Sequence, residues 1–245
     1  IRAGRAVFFT EGALSFAGVS GYAWIGGMLV APASTVDLAL VARSYSPGYY
    51  APYANPLSEN SLPRNEDGFY IGWKYKPGRK FLSSGYVDFF QFPMLRFRCY
   101  QPSMGSEFLV RQAYYLNRKT FFQIQYRRED KVRNITAPDS RDFATQPVVR
   151  ENITLQAEHA ISPSVTARFR LQSVSFKDNT SSQHGYFMAA DLMAKTGALR
   201  LALRYGLFDA TGADTRIYAA ERDVWSVFAY TSLSGVGVRG CAVAE

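Results

Sequence analysis

Several things are scarce in this sequence. Its 245 residues include two cysteines, Cys99 and Cys241, and two histidines, His159 and His184. Two cysteines exclude a disulfide framework and a cysteine-rich zinc cluster. No Walker loop, dinucleotide fingerprint or His-Glu-x-x-His motif is present, so no cofactor, metal or catalytic residue is expected and the chain reads as a non-enzyme. Long apolar runs are also missing. The one uncharged stretch long enough for a spanning helix, 12–36, holds Gly12, Gly18, Gly21, Gly26, Gly27 and Pro32, a composition suited to strands. The segment 12–46 is therefore expected to contain no continuous helix. The start, Ile1-Arg2-Ala3-Gly4, has no initiator Met and no basic or apolar leader. It reads as a chain that begins after a removed signal peptide or in mid-protein.

Aromatic residues are abundant instead, at 15%, with 18 Phe and 16 Tyr beside 19 Gly and 11 Pro. This mixture favours many strands joined by turns. The net charge of +8 is compatible with nucleic acid, anionic lipid or anionic solutes, and selects none of them.

Period two dominates the chain. In 198–207, Leu199, Leu201, Leu203, Tyr205 and Leu207 alternate with Arg200, Ala202, Arg204 and Gly206. In 164–172, Val165, Ala167, Phe169 and Leu171 alternate with Thr166, Arg168, Arg170 and Gln172. Similar patterns in 119–128 and 151–161 bring the reading to thirteen strands. They are 4–18, 21–31, 35–46, 68–77, 80–92, 106–116, 119–130, 148–161, 164–177, 185–195, 198–208, 216–230 and 236–244. Short and long connections alternate after the second strand. A soluble sandwich has no reason to sort loops by parity, whereas an outer-membrane barrel has tight periplasmic turns and long outward loops. Strands of 10 to 15 residues fit a tilted bilayer crossing better than a soluble sheet. The fold is thus predicted as all-β, a transmembrane antiparallel up-and-down barrel forming one domain over 1–245. A large soluble sandwich or lipocalin-like barrel is the alternative. Aromatic pairs near strand ends, Phe89-Phe90, Tyr114-Tyr115, Phe121-Phe122 and Phe228 with Tyr230, are expected in interfacial girdles.

The connecting segments carry a resemblance. The stretch Arg43-Ser44-Tyr45-Ser46-Pro47, continued by Tyr53-Ala54-Asn55-Pro56-Leu57-Ser58-Glu59 and Asn65-Glu66-Asp67-Gly68-Phe69-Tyr70-Ile71-Gly72, is followed by four ordered blocks. These are Tyr86 to Pro93, Pro102 to Phe108, Arg204 to Asp209 and Arg216 to Val224. Together they resemble a bacterial outer-membrane β-barrel family whose full-length members often carry helix-hairpin-helix repeats of the kind found in competence proteins. The resemblance implies a transmembrane barrel in the bacterial outer membrane. Its DNA-binding association attaches to no residue present here. Cys99 and Met104 depart from the pattern, so loop 93–105 is expected to differ in its contacts.

The arginines form the most notable constellation. Arg127, Arg168, Arg170, Arg200 and Arg204 fall on the polar faces of their strands. They form either a basic ladder favouring anions in a pore or a packed polar lumen paired with Glu158, Asp88, Glu129, Glu221 and Asp223. His159 lies on an apolar face near a short turn, where a lipid-interface role is a better reading than a Ser–His hydrolase. His184 shows no sequence-apparent partner. Asp139, Asp142, Asp178, Asp209 and Asp214 read as solvated loop residues, since no calcium-loop spacing is present.

Three functions follow as expectations. The first is a non-enzymatic, porin-like channel or structural subunit of an envelope assembly. Its partners would be the bilayer, lipopolysaccharide and other envelope proteins met by long outward loops. The second is an anchor or conduit for DNA bound by a helix-hairpin-helix domain. The third, a lipid-modifying barrel enzyme, is disfavoured by the histidine positions. Arg204→Leu is expected to be tolerated better than Leu201→Arg. An odd strand count and the ending Ala242-Val243-Ala244-Glu245 predict that this chain is not the whole barrel.

Overall fold

The structure is a computed structural model describing residues 2–135, 144–221 and 229–245. Alternating apolar residues and turn-forming glycines produce fifteen strands among the described residues, and no helix. In chain order these are β1 Arg2–Ala3, β2 Ala6–Ala17, β3 Val19–Ala33, β4 Val36–Tyr45, β5 Glu66–Tyr75, β6 Phe81–Phe92, β7 Ser103–Tyr115 and β8 Thr120–Asn134. They continue as β9 Thr145–Ala160, β10 Val165–Lys177, β11 Ser182–Thr196, β12 Leu199–Ala210, β13 Ile217–Glu221, β14 Ala229–Leu233 and β15 Gly235–Ala244. Thirteen of them, β1 to β12 and then β15, form one sheet in sequential order, and β13 pairs with β14 in a second sheet. This is the order of an antiparallel up-and-down transmembrane β-barrel. Among the described residues β1 and β15 do not pair with each other.

The segment 12–46 forms β2 to β4 with turns at Gly18 and 34–35 and contains no helix, in keeping with the helix-breaking effect of its glycines and Pro32. The connection from β2 to β3 is a single residue, Gly18, whose φ of +82° suits a residue without Cβ.

One element differs from the sequence reading. The described residues 217–221 and 229–230 of the segment read as one strand over 216–230 belong to two short strands. Ile217 pairs with Leu233 and Glu221 with Ala229, making a short hairpin, while β12 pairs directly with β15 from Leu201↔Ala244 to Ala210↔Gly235. The reason is packing. Ile217, Ala219 and Leu233 bury against Val174, Phe187, Ala189 and Ala210 of β10 to β12. An apolar face covered by a neighbouring hairpin alternates in the same way as one covered by lipid.

By contacts the chain divides into two compact units. The first comprises Ile1–Pro77, Ser83–Val110 and Arg128–Val149, and the second Gly78–Leu82, Arg111–Arg127 and Arg150–Glu245. In both, one face of the sheet exposes large apolar side chains, and the opposite face carries ion-paired groups together with buried apolar side chains such as Phe90, Phe92 and Phe187. On β12 the exposed positions are Leu199, Leu201, Leu203, Tyr205 and Leu207, between 40% and 59% accessible. On β5 and β6 they include Phe69 and Phe89. Such a surface is unfavourable in water and is matched by hydrocarbon.

Polar side chains bound this apolar face. On β9 the outward positions Ile153 and Leu155 lie between Glu151, bonded to Tyr126 at 2.5 Å, and His159, bonded to Thr120 at 2.8 Å. Eight residues of strand at about 3.3 Å each span roughly 26 Å along the strand, comparable with the apolar band of outer-membrane barrels.

Candidate functional site

The polar inner face of the second unit carries the arginines singled out above. Antiparallel register aligns Arg168 of β10 with Asp191 of β11, and Asp191 with Arg204 of β12. Glu158 of β9 completes the row, accepting from Arg168 Nη2 at 2.6 Å. Arg204 grips Asp191 with two parallel bonds, Nε to Oδ1 at 2.6 Å and Nη2 to Oδ2 at 2.7 Å. Its third nitrogen, Nη1, donates to the Ala220 carbonyl of the hairpin at 2.5 Å. The side chains are 12% and 6% exposed, so this pair is largely withdrawn from water. Acidic and basic groups alternate across four strands.

The β13–β14 hairpin is held to this wall at three polar points. Besides Arg204, Arg150 Nη2 donates to the Arg216 carbonyl at 3.1 Å, and Arg239 pairs with Glu221 at 2.8 Å. The apolar contacts of Ile217, Ala219 and Leu233 complete the seat.

Of the remaining nominated arginines, Arg170 donates to Gln172 at 2.8 Å, and Arg127 is half-buried on β8. Arg200 is exposed near the end of β12, its backbone bonded in both directions to Glu245. Among their suggested partners, Glu158 and Glu221 pair in this unit as described. Asp223 lies outside the described residues.

The first unit has its own polar centre, built on a residue that the sequence pattern did not single out. Arg43 of β4 donates through Nε to Glu66 Oε1 at 2.8 Å. Its Nη1 and Nη2 reach the two oxygens of Asp88 at 2.8 and 3.0 Å. The Arg43 and Glu66 side chains are fully buried. Gly68 leaves room for the guanidinium, because a Cβ there would collide with Arg43. Glu66 also accepts from Ser58 Oγ at 2.8 Å and from the amides of Glu59 and Asn60 at 3.0 and 3.2 Å. One carboxylate thereby ties the 46–65 loop to the wall. Burial pushes the Glu59 carboxyl above its ordinary value, and Lys131 at 2.8 Å opposes that rise. Glu129 pairs with the same Lys131 at 3.0 Å.

Other expectations need adjustment. Phe90 does not join an outward girdle: it is buried and packs on Phe92, while its neighbour Phe89 is exposed. Successive strand residues point to opposite faces, so an adjacent aromatic pair is necessarily divided. Tyr230 belongs to the hairpin rather than to a girdle, and Phe228 lies outside the described residues. Asp209 is part of β12, not a loop. Asp139 and Asp142 lie outside the described residues. Cys99 is fully buried in its loop and Met104 is exposed.

His184 does have neighbours. Ser182 Oγ lies 3.4 Å from its Nε2, and Ser175 stands opposite it across the strands. Ser175 itself bonds to Glu151 at 3.4 Å. No carboxylate bonds to His184 among the described residues, so the base lacks the orienting group of a hydrolase relay.

The chain matches no protein-family model and no curated protein sequence. Among solved structures it is similar to the porin NanC, with 11% identity, 84% of this chain and 89% of that chain covered, and a TM-score of 0.40. It is similar to outer-membrane-expressed OmpT of Vibrio cholerae, with 8% identity, 100% and 98% coverage and a TM-score of 0.42. For the toluene transporter TodX of Pseudomonas putida the values are 11%, 83%, 73% and 0.35. The membrane-facing character rests on this chain's own two faces.

Proposed function

We propose that this chain is a non-enzymatic bacterial outer-membrane β-barrel, acting as a channel or as a structural subunit of an envelope assembly. The observation that carries the reading is the division of faces on β9 to β12. Large apolar side chains point out on alternate positions, and ion-paired arginines point the other way. The outward face fits acyl chains, with lipopolysaccharide at the outer leaflet. The inner face carries a row of ion pairs across β9 to β12, and the β13–β14 hairpin covers part of it. Exposed apolar side chains on the long loops, Tyr53, Leu95 and Phe97, supply contact surface for other envelope proteins. No observation among the described residues favours the DNA-conduit reading.

Reconstitution into planar bilayers tests the proposal. The intact chain is expected to give small, infrequent conductance steps. Replacement of 217–233 by a short Gly-Ser linker is expected to enlarge them if the barrel is a channel. Unchanged closure in both forms favours the structural subunit. Recovery of the folded chain as a monodisperse species in water without detergent would overturn the membrane reading.

A further inference from the structure

Two guanidinium groups on the inner face of the second unit, those of Arg150 and Arg170, have a buried Nε without a hydrogen-bond partner. Arg168, Arg204 and Arg239 each have a carboxylate partner. Among the described residues Arg150 and Arg170 have none. Arg150 at least spends Nη2 on the Arg216 carbonyl. Arg170 reaches only a neutral amide, the Gln172 Oε1.

The setting of Arg170 makes this deficit specific. Its neighbours across the sheet are Ala189 and, one strand further, Gly206. Neither can supply a partner, and the hairpin that buries Ala189 closes over this part of the wall. The charged groups acting on Arg170 include two further cations, Arg204 and Arg168, and one acid, Asp191. Both Asp191 oxygens are already taken by Arg204. A guanidinium does not shed its proton in a protein, so Arg170 carries its charge with no carboxylate bonded to it among the described residues. Its planar fork suits an oxyanion, which accepts two parallel bonds.

We propose that Arg170 anchors an oxyanion-binding site between β10 and the β13–β14 hairpin, for a solute carrying a phosphate, sulfate or carboxylate group. The site deepens the channel reading, since it rests on an inner face reached by water, and it names the class of solute that the wall would retain.

The test uses the full chain folded in detergent micelles, with urea unfolding followed by tryptophan fluorescence. Sodium phosphate is titrated against sodium chloride at equal ionic strength, and sodium sulfate and acetate are compared in the same way. The wild type is expected to show a saturable rise of the unfolding midpoint with phosphate. Arg170→Gln is expected to weaken the apparent affinity at least tenfold, Arg170→Lys to keep part of it, and the exposed-site control Arg200→Gln to keep all of it. If Arg170→Gln does not fold, a weaker phosphate response in Arg170→Lys than in Arg200→Gln supports the site, and equal responses refute it. No phosphate-specific rise in the wild type, the result if a carboxylate of the chain fills this place, overturns the proposal. An equal rise in wild type and Arg170→Gln does the same. Insertion into vesicles is scored separately. A chain that inserts but ignores phosphate loses this site alone, whereas one that binds phosphate but does not insert loses the membrane reading.

Discussion

Replacing Arg204 by leucine probes the ion-paired wall most sharply. The sequence alone suggested that Arg204→Leu is tolerated better than Leu201→Arg, because Arg204 falls on the inner face. The structure gives a reason for Arg204→Leu to be costly. Arg204 neutralises Asp191 through two bonds of 2.6 and 2.7 Å, and both side chains are nearly out of water. Arg204→Leu leaves the carboxylate buried and unpaired, a change that costs about 3 to 5 kcal/mol where one partner of a buried pair is removed. The Ala220 carbonyl loses its donor as well, worth about 1 to 3 kcal/mol if the hairpin stays seated. The double change Arg204→Leu with Asp191→Leu removes the uncompensated charge. Apolar replacement of a whole buried pair is often close to neutral, so most of the first loss should return. Urea unfolding in detergent, read by tryptophan fluorescence, measures all three variants. A loss below about 1 kcal/mol for the single variant would refute the reasoning from burial and pairing, as would a double variant less stable than the single one.

Leu201→Arg places a charge on the outward face and should cost about 2 to 4 kcal/mol if near the bilayer midplane, seen as impaired assembly into vesicles. Glu66→Ala leaves Arg43 paired with Asp88 alone and releases Ser58, Glu59 and Asn60; limited proteolysis should then cut within 46–65 while the strands remain protected. Ile217→Asp, at a fully buried hairpin position, should unseat β13 and β14 and make the Arg216 region accessible to protease. Asp178 lies in the turn after β10, where the Thr180 amide and hydroxyl and the Ser181 amide hold its carboxyl below the ordinary value. The order that it gives the turn is therefore present above the unfolded-state value and lost as pH falls through the lower folded one. Hydrogen exchange at the Thr180 and Ser181 amides should speed up across that window beyond its intrinsic pH trend, and Asp178→Ala should abolish the extra dependence.

The strands, their faces and most of their turns were legible in the sequence because a two-residue period and glycine-marked turns are local signals. The hairpin was not, since Ile217 and Ala219 alternate as a lipid-facing strand would. A signal for it existed on β11, where Tyr186-Phe187-Met188-Ala189-Ala190 is apolar on both faces. A polar lumen does not call for Phe187, and a covering element does. The Glu158–Arg168 and Asp191–Arg204 pairs depend on register between strands, which the turn at Thr196-Gly197 hinted at but composition does not encode. Arg43, Glu66 and Asp88 are farther apart in sequence, 23 residues between the first two and 45 between the first and last. Nothing local marks them as partners, so the most buried polar centre was missed.

The central claim is that the apolar face of the strands meets lipid and the arginine face does not. Site-directed spin labelling along β12 tests it most directly. With Cys99→Ser and Cys241→Ser as background, single cysteines replace each residue from Leu199 to Leu207 in protein reconstituted into lipid vesicles. Collisional access to oxygen, which concentrates in hydrocarbon, is compared with access to a polar nickel chelate. High oxygen access at 199, 201, 203, 205 and 207, with low oxygen access at the even positions between them, is the predicted result. Uniform access along the strand, or oxygen access peaking at 202, 204 and 206, would contradict the account.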